Sequence, residues 1–78
     1  MQIDIFLCKD GEKPKKLDSD IVKDSKNFGN SLAVAIARAS NYVSEYGVDL
    51  NAWSPFPVDG GEDHRFKCKG GFLSVIIR

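Results

Sequence analysis

The chain has 78 residues, of which 42% are hydrophobic and 28% are charged, and its 11 basic and 11 acidic residues cancel. This size indicates one small domain, and the composition is too apolar and too close to neutral for an intrinsically disordered chain. No segment approaches the roughly 20 consecutive apolar residues of a membrane-spanning helix, so the sequence predicts a protein that does not insert into membranes.

The first predicted strand covers residues 2–8, QIDIFLC, where aliphatic side chains occupy every second position. Alternation places Ile3, Ile5 and Leu7 on one face of a strand, and such a pattern is typical of a half-buried strand. We expect these three side chains to point into the core.

Residues 9–24 are predicted to form a solvated loop. Asp10-Gly11 is a common hairpin turn, but a two-residue turn there would place Lys16 and Asp18 opposite apolar residues on the buried face of the first strand. Because burying unpaired charges is costly, a loop is favoured over a hairpin.

Residues 25–46 carry the clearest helical pattern, since apolar residues recur at spacings of three and four. Asp24 or Ser25 can cap the start of this helix, and Gly47 can end it in the left-handed conformation. The predicted buried stripe consists of Phe28, Leu32, Ala35, Ile36, Ala39, Tyr42, Val43 and Tyr46.

Residues 47–63 show no regular pattern and are predicted to form a long loop. The helix is longer than the strands, so its end is expected to overhang the sheet, and Trp53 and Phe56 are the candidates to cover it. Prolines on both sides of Phe56 make that part stiff and extended, whereas the DGGED segment at 59–63 should be flexible.

Residues 64–77 are predicted to form a hairpin around a two-residue Gly70-Gly71 turn. In this register Phe66 lies opposite Val75, and the apolar side chains of both strands share one face. The cationic side chains share the other face: Arg65, Lys67 and Lys69.

Together these elements predict an α+β fold in the order strand, helix, strand, strand. The three strands are expected to form an antiparallel sheet in spatial order 1-3-2, with the long helix packed on one face and the other face open to water. The whole chain, 1–78, is predicted to be a single domain.

The residues predict neither an enzyme nor a cofactor-binding protein. His64 is the only histidine, and no serine or cysteine pattern pairs with it. Cys8 and Cys68 match no zinc or redox spacing, and the acidic residues near 59–63 lack the spacing of a metal site. Free thiols and the absence of a basic leader predict a cytoplasmic protein.

The favoured hypothesis is a protein-binding module that acts through an acidic, aromatic loop. The Pro-Phe-Pro segment offers a stiff apolar anchor, and the acidic residues form a rim that would attract a partner with a basic surface. The strand-helix-hairpin layout resembles that of small inhibitors that phages and other mobile elements encode against host proteins, which implies an inhibitor or accessory protein. The predicted partner-binding residues are Trp53, Phe56, Asp59, Glu62 and Asp63.

The alternative is single-stranded nucleic-acid binding by the open, basic face of the sheet. Aromatic side chains among cationic ones suit base stacking and phosphate attraction, whereas Asp4 on the same face and the zero net charge argue against it. The residues of this alternative are Phe6, Arg65, Lys67, Lys69 and Phe72. A second copy of the chain is a further candidate partner, through Phe6, Phe72 and Ile76.

Overall fold

The computed structural model describes residues 1–22 and 31–78. Its strands are β1 Gln2–Lys9, β2 Lys15–Ile21, β3 Trp53–Val58, β4 Gly61–Cys68 and β5 Gly71–Ile77. They form a five-stranded antiparallel sheet in the order β2-β1-β5-β4-β3. The helical segment consists of α1 Ser31–Ala39, a 3₁₀ turn Ser40–Tyr42 and α2 Val43–Tyr46.

The prediction of a three-stranded sheet is wrong because two segments predicted to be loops contain strands. The predicted loop 9–24 contains β2, and the predicted loop 47–63 contains β3 and the start of β4. The three predicted strands correspond to the middle of the sheet, where β5 lies between β1 and β4. The two additional strands are the edges.

The β1–β2 hairpin avoids the burial cost that argued against it. Its loop is longer than two residues, and its register shifts between Ile5 and Phe6, as in a β-bulge. Asp18 is exposed, and the half-buried Asp20 accepts a hydrogen bond from Arg38 of α1 at 2.8 Å. An edge strand therefore carries these charges without leaving a buried one unpaired.

The two prolines of β3 are compatible with its position at the edge. The backbone N–H of Lys67 in β4 donates to the carbonyl of Ala52 at 3.0 Å, and Ser54 pairs two residues further along. Since hydrogen-bonding direction alternates along a strand, Pro55 and Pro57 turn away from β4. Their missing N–H groups therefore cost no hydrogen bond within the sheet.

The predicted helix is present over residues 31–46, and its predicted start at 25–30, with the Asp24 or Ser25 cap and Phe28, lies outside the described residues. Its end is as expected from the sequence: Gly47 has φ of 65°, and its N–H donates to the carbonyl of Val43 at 2.9 Å. The described helical segment therefore covers residues 31–46 of the predicted 25–46 and ends where the sequence predicts.

The buried side of the helical segment is narrower than the predicted stripe. Ala35 and Ala39 are fully buried, but Ile36 and Val43 are each 37% exposed. A 3₁₀ turn rotates the second part of the segment relative to the first, because it has fewer residues per turn than an α-helix. One regular 3.6-residue period therefore does not describe the whole segment.

The β4–β5 hairpin turns at Lys69 and Gly70 rather than at Gly70 and Gly71. Phe66 consequently lies opposite Leu73, and not opposite Val75 as the predicted register required. The shift is two residues, and side chains alternate with a period of two, so each side chain keeps its predicted face.

The core lies between the helical segment and one face of the sheet, which we call the covered face. Trp53 is half-buried and packs against this core from β3. Within residues 1–22 and 31–78, no helix combines the length and the apolar character needed to span a membrane. The buried apolar residues are Ile3, Ile5, Leu7, Ala35, Ala39, Val48, Phe66, Cys68, Leu73, Val75 and Ile77.

Candidate binding face of the sheet

The opposite side of the sheet, which we call the open face, gathers aromatic and cationic side chains from neighbouring strands. The strand registers place alternate residues of all five strands on it. We define the open face by Asp4, Phe6, Cys8, Lys16, Ser19, Ser54, Phe56, Asp63, Arg65, Lys67, Phe72, Ser74 and Ile76.

Arg65 lies on β4 between two phenylalanine rings of the adjacent strands. Its Cζ atom is 4.1 Å from the ring centroid of Phe56 on β3 and 4.7 Å from that of Phe72 on β5. Both distances lie within the range of a favourable cation–π contact. The side chain of Arg65 is 37% exposed, so the rings hold it while leaving part of it accessible.

The carboxylate of Asp63 is buried beneath Arg65 and is fully engaged. Its Oδ1 accepts a hydrogen bond from the Ser74 hydroxyl at 2.5 Å, and its Oδ2 accepts one from Nε of Arg65 at 3.0 Å. Asp63 is only 4% exposed. The carboxylate therefore anchors the arginine and presents little negative charge to solvent.

Asp4 is the second buried carboxylate of the open face. Its oxygens accept hydrogen bonds from Ser19 at 2.7 Å and from Gln2 at 2.9 Å, and Nζ of Lys16 lies 3.4 Å away. The hydrogen bond from Ser19, helped by the Lys16 ammonium group and opposed by burial, lowers the pKa of Asp4 from its ordinary value. This carboxylate is consequently ionised but compensated.

The charges that reach solvent on the open face are cationic. Lys67 is exposed, and the side chain of Lys16 is 53% exposed, with its Nζ 5.9 Å from the ring centroid of Phe6. Because both carboxylates lie below the surface, a molecule approaching this face meets ammonium, guanidinium and phenyl groups.

Two shallow cavities share Arg65 and Phe72 as a common wall. One, of about 330 Å³, lies over β1 and β5 and includes Phe6 and Cys8. The other, of about 630 Å³, extends towards β3 and includes Phe56. The open face is therefore a ridge between two hollows rather than a flat surface.

The thiol groups do not supply a reactive nucleophile. Burial raises the pKa of Cys8, which borders the smaller cavity, and also raises the pKa of Cys68 on the covered face. A thiol with a raised pKa is protonated at neutral pH, and the thiolate is the nucleophilic form. The chemistry available on the open face is thus that of stacking and ionic contact.

The five predicted partner-binding residues do not share one surface. Trp53 and Glu62 lie on the covered side, where Trp53 stacks on a histidine, whereas Phe56 and Asp63 lie on the open face. Asp59 is exposed in the turn between β3 and β4. What was predicted as a loop is a hairpin, and its alternation separates neighbouring side chains.

Four of the five residues of the nucleic-acid alternative lie together on the open face. Lys69 is the exception, because it lies in the β4–β5 turn and its N–H donates to the carbonyl of Tyr46 at 3.1 Å. The four residues on the open face are Phe6, Arg65, Lys67 and Phe72.

Sequence reasoning missed Lys16, Ser19 and Ser74. The first two were assigned to a loop, although a segment as rich in charged residues as KKLDSDI is typical of an edge strand. The predicted register placed Ser74 on the same face as the cationic side chains, which is correct, but its partner Asp63 was assigned to a loop, so their hydrogen bond was not foreseen.

Both edges of the sheet lack available backbone donors over much of their length. In β2, the outward N–H groups of Ser19 and Ile21 donate to the side chains of Asp18 and Asp20, each at 2.9 Å. In β3, prolines occupy outward positions. Strand addition needs such donors, so the described part of the sheet presents its open face more readily than its edges.

Comparisons with protein-family models, curated proteins and solved structures find no significant match. Among the described residues, no group of three or more histidine, cysteine, aspartate or glutamate residues is placed to hold a metal ion. The function is therefore inferred from the geometry of the open face alone.

Proposed function

We propose that this protein is a non-enzymatic binding module that binds single-stranded nucleic acid on the open face of its sheet. The observation that supports this function is the alternation of Phe6, Phe72 and Phe56 with cationic side chains on that face. Unpaired bases stack on aromatic rings, and cations attract the phosphates between them.

The buried carboxylates remove the main electrostatic objection to a polyanionic ligand. Asp4 is 5% exposed and Asp63 is 4% exposed, and both accept at least two hydrogen bonds. Their charge is compensated within the protein by Lys16 and Arg65. Although the chain has zero net charge, the charges that reach solvent on the proposed binding face are therefore cationic.

A single strand suits this face better than a duplex. Stacking requires bases that are not enclosed in a double helix, and the ridge formed by Phe72 and Arg65 between two cavities offers places for successive bases. Reading of a duplex commonly uses a helix or a ribbon inserted into a groove, whereas this side of the sheet presents rings and cationic side chains around two shallow cavities.

Fluorescence anisotropy with labelled oligo-dT and oligo-rU over a salt series tests the proposal. We expect affinity to fall linearly with the logarithm of salt concentration, and Lys67→Glu to weaken binding and reduce the slope by about 1. Lys13→Glu is the matched control, since it makes the same charge change in the exposed β1–β2 loop. Absence of binding at low salt, or equal losses for both variants, would exclude the proposal.

Protein binding is a second candidate, supported by one observation. Phe56 is 42% exposed at the edge of the sheet, between two prolines that hold the strand extended. With the exposed Asp59 and Glu62 nearby in the same hairpin, it suits a small inhibitor of a partner with a basic surface. Both candidates suit the cytoplasm, where the free thiols of Cys8 and Cys68 stay reduced.

The two candidates make opposite predictions for two variants. Glu62→Lys should weaken binding to a basic protein partner in nuclease-treated lysate and should not weaken binding to oligonucleotides, whereas Lys67→Glu should do the reverse. A sizing column at two concentrations tests the third arrangement, self-association through Phe6, Phe72 and Ile76, which would cover the same open face.

A further inference from the structure

The guanidinium group of Arg65 uses only one of its nitrogen atoms within the described part of the protein. Nε donates to Asp63 at 3.0 Å, and the terminal amino groups form no hydrogen bond with residues 1–22 or 31–78. The side chain is 37% exposed, so these amino groups can reach an external acceptor. An arginine in this state offers a planar pair of donors.

Two aromatic rings lie close to this guanidinium group. Phe56 and Phe72 flank the guanidinium from the adjacent strands, with their centroids 4.1 and 4.7 Å from Cζ. Because the rings compete with a nucleobase for its faces, the accessible part of the group is its outer edge. The edge of a guanidinium group matches two oxygen atoms of one phosphate.

A buried relay holds the fork in place from below. Ser74 is 4% exposed, and its hydroxyl donates a hydrogen bond to one oxygen of Asp63. The other oxygen accepts a hydrogen bond from Nε of Arg65. Asp63 therefore has one oxygen for each neighbour and little freedom to rotate. Such a positioned arginine loses less side-chain entropy on binding than a free one.

We infer that Arg65 binds a backbone phosphate of the nucleic acid through its two terminal amino groups, and that Asp63 and Ser74 are positioning residues for it. The inference rests on the proposed function and names the contact that orients the strand on the open face. A phosphate is present at every nucleotide, so the contact does not depend on base sequence.

Asp63→Asn gives a test whose sign separates positioning from simple electrostatics. Removing a negative charge from the open face should strengthen binding of a polyanion if only charge matters. If Asp63 positions Arg65, the neutral amide holds the guanidinium group less firmly, because its one oxygen accepts from Nε without the charge of a carboxylate and its amino group can only donate to Ser74. We then expect weaker binding of oligo-dT, by about tenfold, the effect of one charge-assisted hydrogen bond.

Asp4→Asn is the matched control. Asp4 lies on the same face and is 5% exposed. It pairs with Ile76 of β5 from β1, whereas Asp63 pairs with the same residue from β4. It loses the same charge and a comparable set of hydrogen bonds, but it does not contact Arg65. We expect its affinity for oligo-dT to rise, because a negative charge is removed from the face while Arg65 keeps its support.

Two further variants keep the net charge constant. Arg65→Lys retains the cation but not the planar fork, and Ser74→Ala removes the support of Asp63. We expect both to weaken oligo-dT binding while leaving the salt slope unchanged, with the larger loss for Arg65→Lys. Circular dichroism and thermal melting confirm that each variant is folded at the temperature of the binding measurement.

The outcomes separate this inference from the function on which it rests. Weaker binding by Asp63→Asn, together with stronger binding by Asp4→Asn, supports it. Wild-type affinity for Arg65→Lys and Asp63→Asn, or losses only with guanine-containing oligonucleotides, overturns it while the proposed function stands. No binding of oligo-dT by the unmodified protein overturns both.

Discussion

The indole Nε1 of Trp53 donates a hydrogen bond to Nδ1 of His64 at 3.1 Å, and the two rings stack with their centroids 5.9 Å apart. Because Nδ1 accepts this bond, neutral His64 carries its proton on Nε2. That nitrogen is buried and has no hydrogen-bond partner among the described residues, and the nearby Glu62 oxygen is 3.8 Å away. Trp53 thus fixes the tautomer of His64 and ties β3 to β4.

Trp53→Phe tests the contribution of this bond to stability. The substitution keeps an aromatic ring but removes the N–H group, which leaves Nδ1 of the buried His64 without a donor. We expect the free energy of unfolding to fall by about 1–3 kcal/mol. Urea denaturation followed by far-UV circular dichroism measures it, since the variant has no tryptophan fluorescence.

Phe56→Leu is the control for an aromatic residue on the same strand. Phe56 is 42% exposed, so we expect a loss of no more than about 1 kcal/mol, from its contact with Arg65. A cost for Trp53→Phe that does not exceed this control would contradict the role assigned to the Trp53–His64 hydrogen bond.

The pair formed by Asp20 and Arg38 joins the edge strand β2 to α1. Nη2 of Arg38 donates a hydrogen bond to Oδ2 of Asp20 at 2.8 Å. Oδ1 of Asp20 accepts a hydrogen bond from the N–H of Ile21. In a double-mutant cycle with Asp20→Asn and Arg38→Gln, we expect a coupling of about 0.2–1 kcal/mol that decreases at high salt. The Asp20→Asn variant keeps an oxygen that accepts from the N–H of Ile21. The coupling therefore reports the ionic interaction between Asp20 and Arg38. A coupling of zero at low salt would show that the pair does not hold β2 to the helix.

Asp4 gives the protein a pH dependence of known sign. The hydrogen bond from Ser19 and the charge of Lys16 lower the pKa of Asp4 in the folded state. A carboxyl group with a lowered folded pKa stabilises the fold above its unfolded pKa, which is about 3.9, and this contribution is lost as the pH falls further. We therefore expect the stability difference between wild type and Asp4→Asn to be constant above about pH 5 and to shrink below it.

Ser19→Ala checks the cause of that pH dependence. The Ser19 hydroxyl donates to Asp4 at 2.7 Å and is the largest contribution to the lowered pKa. Without it, NMR titration of the Asp4 carboxyl group should give a higher pKa than in the unmodified protein. An unchanged titration midpoint would assign the lowered pKa to Lys16 instead.

The faces of the central strands were predictable, whereas the edges were not. Apolar residues at alternate positions around Phe66 and Val75 determine which side is buried, and an error of two residues in the turn leaves that result intact. Pro55 and Pro57 were predicted to make part of a long loop stiff and extended, and a proline is unfavourable only within a central strand. At an edge the same residues are favourable, and the sequence alone does not reveal which strand is outermost.

The site was predictable to a similar extent. The alternation of side chains along β4 and β5 places Phe72, Lys67 and Arg65 on one face. Four of the five residues of the nucleic-acid alternative lie on this open face. The contact between Asp63 and Ser74 depends on extending β4 into a segment that was predicted to be irregular. Long-range pairing of this kind is set by packing of the whole sheet, and local propensity does not encode it.

Gly71 is required by close packing rather than by an unusual backbone angle. A Cβ atom built on it would collide with the carbonyl oxygen of Cys8 in the adjacent strand, whereas one built on Gly60 meets nothing. We expect Gly71→Ala to destabilise the protein by roughly 3 kcal/mol or more, since overpacking against backbone cannot be relieved by a side-chain rotation. Gly60→Ala should cost only about 1–2 kcal/mol, because its φ of 78° is unfavourable for alanine. Thermal denaturation of both variants gives the comparison, and equal losses would contradict this assignment.

The edges of the sheet are protected by two different devices. The N–H of Ser19 faces outward from β2 and donates to the carboxylate of Asp18 at 2.9 Å. In β3, Pro55 and Pro57 occupy outward positions and have no N–H group. Unprotected edges pair with other strands and cause aggregation, so removal of either device should promote self-association.

We therefore expect Asp18→Ala and the double variant Pro55→Thr with Pro57→Thr to form larger species than the unmodified protein, to an extent that rises with concentration. The threonines restore two outward donors in a strand-forming residue, and the alanine frees the N–H of Ser19. Asp59→Ala is the matched control, because it removes the same charge from an exposed turn. Size-exclusion chromatography with light scattering at two concentrations measures the effect. If all of these variants elute as the unmodified protein does, the capped amides and the prolines do not prevent edge strands of different molecules from pairing.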